Sequence, residues 1–552
     1  MRDLKTDCLF TFQDLKLAWE RVNASVGTDT KDYFGISVYS SDVNKYLNEL
    51  HQQLTSNKYK PKRPFKYYEP KKCGTQRTKT VLIISDAIIY QAIADKIAFN
   101  LYDCLLETRD HVYGSVLNEN VSKGIVLLDE EDPDFYFFEY YVSLYNRFIE
   151  GINNTLDSES VEWKLETDIT GFFDCIPHST LILELFKLNI DKKILDLLAM
   201  CLNSWSGTRE MATFHVGIPQ GPAASFLLAN IILDGLDRKL IPDKRLSYFR
   251  FMDDIRIYGS NEKELLSTLA LVDRFLKGRS LSLNASKTII QPVKDNEEDE
   301  DTFLDSSGIP LESKVEYELE QNIVIQDPTQ LKQAKSGIKT LSNNTAFQLY
   351  SEALEIIEEE LLDTYPSFDS CSLLDPIPKQ YIRRFLTLSQ KWRVTVKAIK
   401  SIQEYSPRQE LVKVWLFGIK HIYWKANSMV WNLKHYDSLE NFYSEFEYIL
   451  SEFEHFEWVK YQVLNIYSKV IGSDITKQQK AIKDLEEEES PLVRLGYYSI
   501  LVEAIKADSQ LFDSLSNVLK KEKEEYVKES VLNMIQRQHL NISINSLKDW
   551  FL

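Results

Sequence analysis

A chain of 552 residues with 44% apolar content can bury several cores, at roughly 150 residues per domain, and no apolar run approaches the ~18 residues of a membrane span. A formal net charge of −18 excludes a whole-surface grip on nucleic acid, so any phosphate-binding patch must be local. Six widely spaced cysteines without a CxxC pair point away from a zinc site or a disulfide framework and toward a reducing cytoplasm.

In chain order, MRDLKTDCLFTFQDLKLAWERV interrupts each apolar stretch with charge and has no signal-peptide core. Residues 58–79, KYKPKRPFKYYEPKKCGTQRTK, hold Lys58, Lys60, Lys62, Arg63, Lys66, Lys71, Lys72, Arg77 and Lys79 against the single acid Glu69. CGT offers a turn between two strand-like runs. The segment reads either as a solvated basic loop or as a hairpin that grips phosphates. In WKLETDITGFFDCIPHSTLILELF, Trp163, Leu165 and Thr167 alternate into Asp168, and a helix is predicted from about His178. Asp168 thus ends a strand, where a ligand can be held rigidly.

YFRFMDDIRIYG, residues 248–259, alternates at period two and predicts a strand pair folded over a tight turn at Met252-Asp253-Asp254. Adjacent carboxylates repel. Either a divalent cation holds them or they form a plain polar hairpin tip. DNEEDEDTFLD, residues 295–305, reads as an exposed acidic insertion closing the first half. Beyond about residue 330 the pattern is helical, as in PLVRLGYYSILVEAIKA and KEEYVKESVLNMIQRQ, with Pro366, Pro376, Pro378, Pro407 and Pro491 as breakers. The last two helices resemble a HEAT-type pair without a fixed repeat period. Trp392, Trp415, Trp424, Trp431 and Trp458 in this tail are core residues or a binding surface.

Together DITGFFD, GIPQGPAASFLLAN, FMDD and LSLNASKT resemble, in order and spacing, the palm motifs of reverse transcriptases, and most of all the bacterial group of intron, retron and phage-defence enzymes. YEPKKCGTQRTKTVLIISDAIIYQAIADKI is similar to the fingers of that group. The resemblance spans about residues 10–295. It implies an α/β right-hand polymerase with fingers in 1–120, a palm in 121–295, an acidic linker and thumb entry in 296–335 and an all-α, HEAT-like domain in 336–552. It also implies that Asp168, Asp253, Asp254 and the Ile169 carbonyl bind two Mg²⁺ ions, with Mn²⁺ as the alternative. Phe173 takes the steric-gate position that selects deoxynucleotides, and Gln220 touches the incoming nucleotide or its template base. Gly217 and Gly221 permit close backbone approach. Arg77, with Lys71 or Lys72, holds the triphosphate. Lys287 is a candidate general acid for pyrophosphate, or a plain surface lysine.

The sequence departs from the family where FM precedes the Asp pair and where Ser225-Phe226 replaces Ser-Pro. No nuclease motif, zinc-finger spacing or basic maturase domain follows the palm. The layout resembles the abortive-infection (Unknown Group/Abi) reverse transcriptases of bacterial anti-phage systems. This resemblance implies dNTPs as substrates and a DNA product, covalently attached to the protein if synthesis is untemplated and protein-primed, together with a homo-oligomer and no membrane. The alternatives are a retron, CRISPR-associated or other enzyme copying a non-coding RNA, and a non-catalytic RNA-binding scaffold.

Overall fold

The computed structural model describes residues 9–25, 32–157, 161–211, 213, 215–293, 409, 411–504 and 509–538. The expected acidic linker at 296–335, the breakers Pro366 to Pro407 and Trp392 lie outside the described residues. The chain divides into two compact units, one of residues 1–66 and 79–304, the other of residues 67–78 and 305–552.

The first unit opens with α1 (Phe12–Ala24), started by a reciprocal cap in which Asp14 N–H donates to the Thr11 hydroxyl and Thr11 N–H to the Asp14 carboxylate. Helices α2 (Tyr33–Ser41) and α3 (Val43–Thr55) lead to strands β1 (Phe65–Pro70) and β2 (Gln76–Val81), which pair as a hairpin. The long α4 (Ile84–Leu106) carries Asp86 in its first turn. Asp86 does not cap that helix. Its buried carboxylate accepts from Tyr59 Oη (2.9 Å), Lys62 N–H (2.8 Å) and Trp205 Nε1 (3.0 Å).

Next come α5 (Tyr141–Leu156), β3 (Trp163–Thr167), the short α6 (Phe172–Cys175), α7 (His178–Lys187), α8 (Lys192–Trp205), α9 (Ala223–Leu240), β4 (Leu246–Phe251), β5 (Asp254–Gly259), α10 (Glu262–Lys277) and β6 (Ile289–Pro292). The four-stranded sheet has the order β4-β5-β3-β6, and every pair is antiparallel. Side chains of paired residues share a face. Leu165 pairs with Ile257 and Thr167 with Ile255, and these point into the main core with α4 and α9. The opposite face carries Phe249 and Tyr258 against Phe148, Ile149 and Ile152 of α5. Both faces are therefore covered, and Ile255, Arg256, Ile257 and Tyr258 form an unbroken buried run.

In the second unit, the described residues between 411 and 538 are helical with short connections, in line with the expected all-α tail. Trp415 and Trp458 are buried, so these two are core residues. Pro491 begins the helix Pro491–Ala504 instead of breaking one, because the first helical position needs no N–H partner. The tip of the β1–β2 hairpin belongs to this unit. Gly74 turns it at φ +89°, the Tyr423 hydroxyl donates to the Lys71 and Lys72 carbonyls at 3.3 Å each, and Tyr68 N–H donates to Glu457 at 2.7 Å. Among the described residues, no helix is long and apolar enough to cross a membrane.

Candidate active site

The antiparallel register decides which acids meet. Thr167 lies opposite Ile255 as the last pair of the β3–β5 ladder, so Asp168 directly follows β3 where Asp254 begins β5. Across the β4–β5 hairpin Phe251 pairs with Asp254, leaving Met252-Asp253 as a two-residue turn. Two strands and one turn thus bring the backbone positions of the three acids that the sequence singled out near one another. Met252 holds φ +56°, a left-handed conformation that costs a side-chain-bearing residue on the order of 1 kcal/mol. The surrounding fold must supply what holds it there.

Burial, and after it the charge of Asp168, pushes the Asp253 carboxyl up to about 6. Lys287 Nζ donates to Asp168 Oδ2 at 2.7 Å, and that hydrogen bond raises the lysine's pKa above its ordinary value. Asp254 pairs with Arg256 at 3.2 Å. Asp168 is anchored by its backbone, since Asn284 N–H donates to its carbonyl at 2.7 Å and Thr170 N–H donates to the Ser282 carbonyl at 2.9 Å. Those two bonds flank the Ile169–Leu283 bridge. Ile169 is therefore in a non-hydrogen-bonded pair, and its own carbonyl is directed away from the Leu283 segment.

Among the described residues no three metal-ligating side chains converge, and Asp168 and Asp254 are each paired with a cation of the chain itself. The donor set nonetheless fits a hard divalent cation. It offers carboxylate and carbonyl oxygens, and the charge that disfavours ionisation of Asp253 is what such an ion would offset.

Phe173 is buried in α6, which starts after Gly171 in a left-handed conformation (φ +54°). Its ring lies edge-on to Phe226 at 5.3 Å and to Phe172 at 5.8 Å, and its carbonyl accepts from Ile218 N–H at 2.9 Å. Phe226, noted in the sequence only as a departure, thus backs the expected gate. Its neighbour Ser225 is buried and within 2.8 Å of the Tyr90 hydroxyl.

The GIPQG loop is zipped to the same segment. Gly217 N–H donates to the Ile176 carbonyl at 2.8 Å, and a ring nitrogen of buried His178 lies 2.7 Å from the Gly217 carbonyl. Gly217 sits at φ +87°, and a Cβ there would stand 3.0 Å from the Asp174 carbonyl oxygen, so glycine is required. Gln220 is half-buried, its carbonyl accepting from Thr80 N–H at 3.1 Å. The sequence reading missed His178, although a histidine directly after Ile176-Pro177 at a helix start was a usable signal. Lys71, Lys72 and Arg77 belong to the second unit, in the hairpin tip. Lys72 and Arg77 are exposed, and Lys71 is half-buried.

Residues 87–302 match the family model described as reverse transcriptase (RNA-dependent DNA polymerase). The chain carries a reverse transcriptase domain. It is 26% identical over 231 residues to the COX1/OXI3 intron 1 protein of Saccharomyces cerevisiae, covering 41% of this chain and 24% of that protein. It is 29% identical over 140 residues to the retrovirus-related Pol polyprotein of the type-1 retrotransposable element R2 of Popillia japonica, covering 22% of this chain and 20% of that protein. The match thus spans a quarter or less of the length of either relative. Among solved structures, telomerase from Candida albicans with a TWJ fragment of telomeric RNA aligns over 77% of this chain and 68% of that one, at 12% identity and a TM-score of 0.33. Telomerase from Candida tropicalis with such a fragment aligns over 82% and 68%, at 11% identity and 0.33.

Proposed function

We propose that this chain is a reverse transcriptase-type DNA polymerase that adds deoxynucleotides to a 3′ end. The observation that carries the reading is the β3–β5 register ending at Thr167 and Ile255, which sets Asp168 just after the one and Asp254 just before the other at the Asp253 turn, within a domain matching the reverse transcriptase family. Asp168, Asp253, Asp254 and the Ile169 carbonyl would hold two Mg²⁺ or Mn²⁺ ions, which when bound activate the attacking hydroxyl and stabilise the departing pyrophosphate. Phe173, backed by Phe226, excludes a 2′-hydroxyl, and Gln220 meets the incoming nucleotide. Lys287, already protonated beside Asp168, gives a proton to pyrophosphate. Arg77, assisted by Lys71 or Lys72, holds the triphosphate.

The finer reading is an anti-phage, abortive-infection enzyme that works as a homo-oligomer, with untemplated, protein-primed synthesis. Its support is the layout of an acidic chain with a long helical tail of HEAT-like pattern. Templated copying of an RNA is the second reading, favoured by the similarity to intron and retrotransposon proteins. The test is to incubate the purified full chain with dNTPs and Mg²⁺, then sequence what copurifies and what is made. A defined RNA with its DNA complement establishes templated copying, and DNA covalently bound to protein establishes self-priming. The absence of any DNA product refutes the proposal. Light scattering that shows a monomer at micromolar concentration refutes the assembly.

A further inference from the structure

Arg250 is an arginine in the middle of a palm strand, and it is 1% exposed. Its register partner is Ile255, so it points to the core face under α9 and away from the face that carries Asp254. Each arm of its guanidinium has a partner. Nε donates to Asp237 Oδ1 at 2.8 Å and Nη2 to Asp237 Oδ2 at 2.6 Å, a bidentate fork. Nη1 donates to Asn230 Oδ1 at 3.0 Å and to the Met252 carbonyl at 2.8 Å.

The partners are themselves tied down. Tyr248 Oη donates to Asp237 at 2.6 Å, and Asn230 Nδ2 donates to the Gly114 carbonyl at 2.8 Å. Segment 111–115 runs beside β4, with Arg250 N–H donating to the His111 carbonyl and Tyr113 N–H to the Arg250 carbonyl. Gly114 packs so closely on the turn that a Cβ would stand 2.4 Å from Met252 N.

One of these bonds reaches past structure toward chemistry. The Met252 carbonyl belongs to the peptide plane that leads into Asp253, and Met252 is the residue in the left-handed conformation. A core that needed only to pair a buried charge would be complete with Asp237. The additional donation to the turn is what a planar fork provides and an ammonium does not.

We propose that Arg250 is a positioning residue for the metal-binding turn. Clamped by Asp237 and Asn230, it fixes the Met252-Asp253 peptide and so presents the Asp253 carboxylate. The inference rests on the polymerase reading above, and it requires that the apo chain already holds the turn in its working geometry.

The test is direct Mn²⁺ titration of the full-length chain by electron paramagnetic resonance, alongside steady-state kinetics, on Arg250→Lys and Asn230→Ser. Arg250→Lys keeps the charge against Asp237 and loses the fork. Asn230→Ser leaves Arg250 in place, removes one of its two anchors, and carries the test if the lysine variant does not fold. Mn²⁺ affinity is expected to fall about tenfold in Arg250→Lys and several-fold in Asn230→Ser, with kcat falling more than the nucleotide KM. A purely structural role would lower the melting temperature and leave the Mn²⁺ affinity of the folded protein unchanged; that outcome overturns the proposal. If the wild-type chain binds no Mn²⁺, or Asp253→Asn binds it equally well, the metal-centre reading itself fails, an outcome distinct from unchanged affinity in the two network variants.

Discussion

Phe173→Val tests sugar selection where the structure makes the size of the effect calculable. The ring is packed against Phe226 and Phe172, and the Ile218 N–H bond to its carbonyl fixes its backbone, so it resists swinging aside for a larger sugar. Forcing extra atoms against a fixed, well-packed group costs roughly 1–3 kcal/mol. At 1.36 kcal/mol per tenfold, that is about five- to 160-fold discrimination. Valine should therefore raise ribonucleotide use relative to deoxynucleotide use by about that factor, measured as the ratio of the two kcat/KM values. Phe226→Ala should move the same ratio in the same direction by less, because the ring keeps its other supports. If the ratio is unchanged in Phe173→Val while deoxynucleotide kcat/KM is retained, Phe173 is only a core residue and the gate assignment fails.

Asp86 gives a pH dependence. Burial raises its carboxyl to about 6, so ionisation is disfavoured in the fold relative to the unfolded chain. Its stabilising contribution is complete below about pH 3.8 and is lost as pH rises through about 6, roughly 3 kcal/mol in all. Urea unfolding across that range should show a flatter pH slope for Asp86→Asn than for wild type, and equal slopes would refute the assignment. Lys287→Gln should lower kcat by about a hundredfold or more with little change in nucleotide KM, as expected for loss of a proton donor. Unchanged turnover would leave Lys287 as no more than a surface partner of Asp168.

Much of the site was legible because it is local. The alternation in 163–167 and 248–259, a tight turn at the Asp pair and the helix from His178 all follow from short-range pattern, and the structure has each of them, except that Asp254 opens β5 instead of lying in the turn. The burial of Arg250 was not legible. Period two separates it from Phe249 and Phe251, but a strand covered on both faces gives no sign that its polar position is the interior one. The roles of Phe226 and His178 depend on packing between segments about 40 to 50 residues apart, which no local pattern encodes. Asp86 lies in the first turn of α4, and its partners Tyr59 and Trp205 come from distant parts of the chain. The grouping of the basic hairpin tip with the C-terminal unit likewise depends on Tyr423 and Glu457, more than 300 residues away.

The central claim is that Asp168, Asp253 and Asp254 form a metal centre for nucleotide addition. It is tested most directly by incorporation of labelled dNMP into acid-insoluble product by the full chain in Mg²⁺, with and without Asp253→Asn and Asp254→Asn together. The amide is nearly isosteric and neutral, so circular dichroism should remain that of wild type while incorporation falls to background. Wild-type incorporation by the folded double variant would contradict the account.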